Sequence, residues 1–418
     1  MKNKIMFDTL FIISCATIAK ILSFIIRILF ARCLSVEAMH YYTLITPTLM
    51  LALTLSQLSF PLALSKLVAK YHDHPLILKV NRHLLYLLNG LIIIILLISA
   101  PFIANLLHQK HLTLLIYTMI PILPLTSISA TLKSRLSGLQ SHRHAAFSQI
   151  PEEVIRILFL FLAYPYLKHI NDIHAAACAL LSISISELGS IIYLFFCLPK
   201  ASKTKTRLSS KQLYKEFLQI AIPASMSRFI GSLTYFLEPL LLSILSLSHY
   251  LKDYTLIYGY LIPLITMPSF LAISLSNYLL PSFVYYKEAK QYQKAGKLCF
   301  MILCSCAMIG FASAFLCYFF GEPLLLFLYQ NTQGVALLKA FALPFAFYSL
   351  QPALASLMHG LNLSKQGFYD TLYGCILRLA IYLFAPFLHC HILVLALISS
   401  MLLTTFLHAI RIASHLRS

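Results

Sequence analysis

The sequence has no tryptophan, and only 13 of its 418 residues are Asp or Glu. Charged residues of both signs make up 11% against about 25% in soluble domains, while 60% of the chain is hydrophobic against about 45–50%. That shortage excludes a soluble enzyme and a disordered chain. Twelve Gly and 18 Pro are too few for a low-complexity or collagen-like chain. No G-x-x-x-x-G-K-[ST] segment is present to bind ATP by a P-loop, and no H-E-x-x-H, G-x-S-x-G or paired-carboxylate loop suggests hydrolytic chemistry. The ten Cys form no disulfide framework. Cys15, Cys178, Cys299, Cys304, Cys306 and Cys317 lie inside apolar runs, where Cys behaves as a small hydrophobe. His72-Asp-His74 and His389-Cys-His391 read as interfacial loop residues, so no metal site and no cofactor is expected. With Trp absent, the 24 Tyr must anchor the membrane interfaces.

What remains is an all-α, polytopic membrane protein. About 20 apolar residues cross a bilayer as a helix. Twelve such stretches are expected: 5–31, 41–69, 83–107, 112–138, 145–167, 173–198, 213–247, 254–286, 297–320, 333–361, 367–388 and 391–412. The first reads as a retained span rather than a signal peptide, because Lys20 and Arg27 interrupt it and no small-residue cleavage site follows. The longest polar connector, Lys200 to Lys215, divides the chain into lobes 1–199 and 216–418, with 200–215 as linker. With the N-terminus on the cytoplasmic side, 21 Lys and Arg fall at cytoplasmic ends and four at outer loops. Such a bias sets topology. It puts both termini and the linker in the cytoplasm, and it accounts for most of the +19 net charge without nucleic acid as a partner.

The halves resemble each other. Leu53-Thr-Leu-Ser-Gln-Leu-Ser-Phe-Pro61 matches Ile273-Ser-Leu-Ser-Asn-Tyr-Leu-Leu-Pro281 at an offset of 220. Ser134-Arg-Leu-Ser-Gly-Leu-Gln140 matches Ser356-Leu-Met-His-Gly-Leu-Asn362 at 222, and the same offset carries Arg156 onto Arg378. Six spans per half is an even number, so the repeats run parallel, with a substrate path expected between them. Prolines within or at the ends of the apolar runs, such as Pro47, Pro121, Pro239 and Pro344, permit kinks.

Three stretches carry a family likeness. They are Lys20-Ile-Leu-Ser-Phe-Ile-Ile-Arg27 with Ala31-Arg32, Phe60-Pro-Leu-Ala-Leu-Ser-Lys-Leu-Val-Ala-Lys-Tyr71, and Arg135-Leu-Ser-Gly-Leu-Gln140 followed by Ser148-Gln-Ile-Pro-Glu-Glu-Val-Ile-Arg156. Together they resemble the sporulation-protein-B branch of the multidrug/oligosaccharidyl-lipid/polysaccharide (MOP) flippase superfamily, densely over 5–170 and more thinly over 213–412. The resemblance implies two six-helix lobes in a V, a central cavity opened alternately to each side, and a lipid-linked saccharide as substrate. It implies a monomer with membrane lipids as partners and a monovalent cation or proton as a candidate coupling ion. Ser23 departs from the family's usual Gly, and twelve spans are expected where relatives often have two more at the C-terminus.

A charge in mid-membrane costs about 2.5–3.5 kcal/mol on insertion scales, so it faces a cavity or a partner. Lys20 and Arg27 stand two turns apart on one face. They are either a cationic wall for a pyrophosphate or sugar acid, or one snorkelling Lys beside a structural ion pair. Arg228 is expected to join that wall. Glu238 either binds a coupling ion or proton or pairs with Arg27. Glu153 and Arg156, three apart, favour a structural ion pair, with Arg378 the repeat equivalent of Arg156. Glu187 is a lone acid expected to face the bundle. The balance of bases over acids favours a lipid-linked saccharide over a drug or cation exporter of the same superfamily. The absence of a long outer loop argues against a polysaccharide ligase or polymerase.

Overall fold

The computed structural model describes residues 2–71, 73–167, 169–199, 208–384 and 391–417. Among them the regular structure is helical, and the chain folds as two compact units, Met1–Phe236 and Leu237–Ser418. Lys200 and the 201–207 stretch of the expected linker lie outside the described residues.

In the first unit, α1 (Lys2–Cys33) is followed by α2 (Val36–Gln57), α3 (Phe60–Tyr71), α4 (Pro75–Leu106), α5 (Leu112–Thr118) and α6 (Ile122–Gly138). Then come α7 (His142–Phe147), α8 (Gln149–Leu167), α9 (Asp172–Cys197) and most of α10 (Ser210–Ile244). Short polar side chains start the long helices. Ser35 Oγ accepts from the Ala38 amide at 3.0 Å and donates to Asp172, while His74 Nδ1 accepts from the Leu76 amide at 3.2 Å with Pro75 next in line. The α2–α3 break is made by Leu58 and Ser59, both left-handed. Phe60, Leu64 and Leu67 of α3, Ile77 and Val80 of α4, and Leu213 and Phe217 of α10 form one buried cluster. This ties the first turns of α10 to the first unit.

The second unit continues through α11 (Tyr250–Thr255), a π-helical turn at Leu256–Leu261, α12 (Ile262–Thr266), α13 (Ser269–Glu288), α14 (Tyr292–Phe319) and α15 (Gly321–Tyr329). It ends with α16 (Val335–Ala346), a 3-10 turn, α17 (Gln351–Gly360), α18 (Ser364–Leu383) and α19 (Ile392–Arg417). Leu279 and Phe283 of α13, Leu298 and Ile302 of α14, and Leu354, Leu357 and Met358 of α17 form its core cluster.

Eight helical stretches among the described residues are long and apolar enough to cross a membrane, and the pair Tyr250–Thr266 with Ser269–Ser276, bent by 56°, makes a ninth. Three of the twelve expected spans are helices of a different kind. α8 holds Glu152, Glu153 and Arg156, α18 holds Lys365, Asp370 and Arg378, and α10 holds five charged residues between Lys211 and Glu238. Several of these side chains have partners inside the protein: Glu152 pairs with Lys133, Arg156 bonds Ser182, Asp370 pairs with Arg411 and Glu238 with Arg378.

The order of helices in the first unit recurs in the second, and left-handed residues mark the register. Asp73 and Lys290, at 57° and 56°, stand 217 apart. His108 and Gln330, at 53° and 54°, and Gln140 and Asn362, at 60° and 61°, stand 222 apart. The extra residues enter along α14 and α15, which together replace the single helix α4. Before that insertion the register is 217, so Pro61 lies 12 residues ahead of its left-handed marker and Pro281 nine ahead of the equivalent one. The 220 match of the two prolines is therefore off by three residues, nearly one turn. The 222 matches lie beyond the insertion and keep register: α7 begins at His142 and α18 at Ser364, 222 apart.

Candidate functional site: a charged chamber in the first unit

A stripe of small and polar residues on α6, Thr126, Ser129, Ala130 and Lys133, repeats at helical spacing and faces a matching stripe on α2, Met50, Leu53, Thr54 and Gln57. With Glu187 of α9 and Arg228 of α10 they enclose a chamber of about 360 Å³. Small side chains on α6 keep its wall thin, and Ser129 Oγ is within 3.3 Å of Ser190 Oγ on α9, which fastens the two helices behind the chamber.

Three charged groups reach this space. Lys133 Nζ is 2.7 Å from Glu152 Oε2 of α8, with both side chains about a quarter exposed. Glu187 is buried, and its Oε2 has no hydrogen-bond partner. The charges of Glu152, Lys133 and Glu153 all act on Glu187. Arg228 is exposed and has no acidic partner among the described residues. The chamber thus combines one neutralised cation, one buried acid and one open guanidinium. A guanidinium presents a planar fork of N–H donors that fits two oxygens of a phosphate or carboxylate.

The expected site residues divide around this chamber. Arg228 lines it; Lys20 and Arg27 do not. Lys20 is exposed on α1, and Arg27 is half-buried beside Ile26 and Phe30. The expected Glu153–Arg156 ion pair is absent from the ion pairs of the described residues. Arg156 instead donates from Nε to Ser182 Oγ at 3.2 Å and sets its guanidinium 5.3 Å from the centre of the Phe30 ring. Helical spacing brought the two side chains to one face, but α9 and α1 offered Arg156 a hydroxyl and an aromatic face. Glu153 remains under the electrostatic influence of Arg156 and Lys20.

Glu238 does not take Arg27 as its partner. It is fully buried in the second unit, where Arg378 of α18 forms an ion pair with Oε1. Tyr258 donates to Oε2 at 2.6 Å and in turn accepts from Arg378. Tyr258 sits on the π-helical turn, a rare geometry that shifts the side-chain register by about one residue. Oε1 thereby faces Arg378 and Oε2 accepts from Tyr258.

Of the two histidine motifs, His72, His389 and Cys390 lie outside the described residues. Asp73 is held by Arg135 through Nε at 3.0 Å and Nη2 at 2.7 Å, His74 caps α4, and His391 lies 3.3 Å from Asp253. Lys133 and Gln57 were missed as site residues. The period of Thr126, Ser129 and Ala130 leads directly to Lys133 at the basic end of α6, which is the signal that finds it.

The polysaccharide biosynthesis protein family matches residues 5–287, well over half of the sequence. The chain belongs to that family. This family member is 29% identical to the stage V sporulation protein B of Bacillus subtilis, over 98% of this chain and 83% of that one. It is 22% identical to the sporulation protein YkvU of the same organism, over 96% and 93%. Among solved structures it is similar to an inward-facing multidrug resistance MATE transporter, with TM-score 0.74, 13% identity and coverage of 98% and 99%. It is also similar to the lipid II flippase MurJ in an inward closed conformation, with TM-score 0.64, 18% identity and coverage of 97% and 87%. The fold of this family member is that of the MATE transporters and of MurJ, and its apolar helices make it a multi-pass membrane protein.

Proposed function

We propose that the protein is an alternating-access flippase that moves a lipid-linked oligosaccharide or cell-wall precursor, of the undecaprenyl-pyrophosphate type found in lipid II, from the inner to the outer leaflet. The observation that carries this reading is the open guanidinium of Arg228 in a chamber whose other cation, Lys133, is already neutralised by Glu152. A free arginine fork inside an intramembrane chamber suits an anionic head such as a pyrophosphate. Family membership and the likeness to a lipid II flippase support the substrate class. Arg27 and Lys20 on α1 are a second, more peripheral cationic face for the same head. A head with two negative charges leaving a negative-inside cell gains about 4–5 kcal/mol per 100 mV, which biases export without ATP. Both termini and the connector before α10 are cytoplasmic in this reading. Glu153, Arg156, Glu238 and Arg378 hold the helices together and do not touch substrate.

One observation favours a second reading. The buried, incompletely bonded Glu187 faces the same chamber, and an acid there suits a cation or proton exporter of the MATE type. Two substitutions separate the readings in a complementation or flipping assay with expression checked. A flippase loses at least tenfold with Arg228→Ala and retains part of its activity with Arg228→Lys, whereas Glu187→Gln is tolerated. An exporter shows the reverse. Full activity of both Arg228→Ala and Arg27→Ala at normal expression removes the cationic contact from the mechanism. For topology, a single Cys replacing Ser209 in a cysteine-free background should be labelled only after permeabilisation. Labelling from outside intact cells overturns the orientation.

A further inference from the structure

A second cavity lies on the first unit, distinct from the chamber. It is a groove of about 510 Å³ between α4 and α6. The two helices run antiparallel, so the N-terminal turns of α4 and the last turn of α6 meet at one end. That end carries Lys79, Arg82 and Arg135. Arg135 is committed to Asp73 and also donates to the Pro199 carbonyl at 3.0 Å. Lys79 and Arg82 are one turn apart, exposed, and without an acidic partner among the described residues.

Beyond this mouth the walls become apolar. Leu85 and Tyr86 of α4 face Ile128 and Leu132 of α6. The polar groups along the same walls are bonded to one another. Asn89 Nδ2 donates to the Leu85 carbonyl at 2.8 Å and to Ser127 Oγ at 3.1 Å, and Thr131 Oγ1 donates to the Ser127 carbonyl at 2.8 Å. An occupant past the mouth therefore meets hydrocarbon and satisfied polar groups. From Lys79 to Asn89 the groove follows α4 for about 15 Å at 1.5 Å per residue. Its volume falls within the about 300–1,000 Å³ usual for small-molecule sites.

We propose that this groove binds an anionic glycerophospholipid of the bilayer, with its phosphate on Lys79 and Arg82 and one acyl chain along Leu85, Tyr86, Ile128 and Leu132. Charge complementarity selects this occupant: two uncompensated cations stand at one end of an apolar track, the arrangement that an anionic head with an acyl chain requires. The positive-inside count puts that end in the cytoplasmic leaflet. The site rests on the chain being a membrane protein and does not depend on what the chamber carries.

The test uses the full chain, delipidated in detergent and titrated by native mass spectrometry with phosphatidylglycerol, phosphatidylcholine, a polyprenyl phosphate and inorganic phosphate. Phosphatidylglycerol should bind at least about tenfold more tightly than phosphatidylcholine. Lys79→Ala with Arg82→Ala should abolish that preference. Lys290→Ala with Lys294→Ala removes the same charge from exposed positions of the second unit and should leave it intact. An equal loss in the two double variants, or no preference in the unsubstituted protein, overturns the proposal. So does displacement of the lipid by inorganic phosphate at equal concentration, since the chain would then contribute nothing. Selective binding of the polyprenyl phosphate over phosphatidylglycerol would also overturn it, because the groove would then belong to the transported substrate.

Discussion

The two units answer the same problem, a half-buried arginine within an apolar helix, Arg156 on α8 and Arg378 on α18, with different chemistry. In the first unit Arg156 lies against the face of Phe30 and donates to Ser182, whose own hydroxyl is already committed to the Ala179 carbonyl at 2.6 Å. In the second, Arg378 meets the fully buried Glu238 and Tyr258. Where the first helix of one series presents an aromatic ring, its counterpart presents a carboxylate. The ring and hydroxyl are each worth about 1 kcal/mol and leave nothing charged behind if the arginine goes. The buried ion pair is interdependent, because neither charge tolerates the loss of the other. The second unit thus confines its central charge, while the first leaves Arg228 and Glu187 open to a chamber. We expect ligand chemistry in the unit whose charges are not mutually satisfied.

The sharpest test of this contrast is also the largest effect. Glu238→Gln leaves Arg378 buried without a counter-charge and should destabilise the protein by about 3–5 kcal/mol. Arg156→Met should cost only about 1–2 kcal/mol. Thermal unfolding in detergent reads both. Replacing the pair together, Glu238→Leu with Arg378→Met, should recover most of the loss, because the desolvation of two charges is removed along with their attraction. Equal costs for Glu238→Gln and Arg156→Met would erase the distinction between the units.

A second comparison concerns the glycines at the end of α6 and α17. A Cβ on Gly138 would lie 2.7 Å from the Ser65 carbonyl oxygen and 2.7 Å from Val68 Cβ. A Cβ on Gly360 would lie 2.8 Å from Cδ1 of the Phe283 ring. Each glycine lets its helix press on the equivalent neighbour, α3 or α13. The obstacle differs: a backbone carbonyl inside a helix cannot yield, and a ring can turn. Gly138→Ala should therefore cost about 2–3 kcal/mol and Gly360→Ala about 1, within the usual range for overpacking. The measurement is the folded yield and melting temperature of each variant. A larger loss for Gly360→Ala would mean that Phe283 is as fixed as the backbone.

The helical class and the repeat were legible because hydropathy and turn residues act locally. The Arg135-Leu-Ser-Gly-Leu-Gln140 motif marked a real feature, a helix end pressed against α3 with Arg135 holding Asp73. The proline match is off by three residues: the register is 217 before the insertion along α14 and α15 and 222 after it, so no single offset fits both sides. Among the charges, spacing along one helix was a poor guide to partners. Glu153 and Arg156 share a face, yet Arg156 found Ser182 and Phe30 on other helices. Likewise, nothing local in the segment around Glu238 signals a partner 140 residues further on. Arg228 was legible as a charge in an apolar run, whereas Lys133 was hidden by its neighbours at a basic helix end.

The smallest expected difference lies at the two helix caps. Gln140 and Asn362 occupy the same left-handed position, and the following amide closes the same bond: Ser141 N to the Leu136 carbonyl at 2.8 Å, and Leu363 N to the Met358 carbonyl at 2.8 Å. A left-handed backbone costs an ordinary side chain about 1–2 kcal/mol, and Asn tolerates it better than Gln because its short amide can bond locally. Glycine removes the cost but gives the unfolded chain more freedom, which takes back part of the gain. Gln140 also has an exposed contact with His142 at 3.3 Å, which contributes little in water. Gln140→Gly should therefore stabilise by about 0.5 kcal/mol, Gln140→Asn by somewhat less, and Asn362→Gly by close to nothing. Paired melting curves of the three variants against the parent resolve the order. A gain from Asn362→Gly as large as that from Gln140→Gly would show that the asparagine carries the full strain, and that the two caps differ in something other than the residue at the turn.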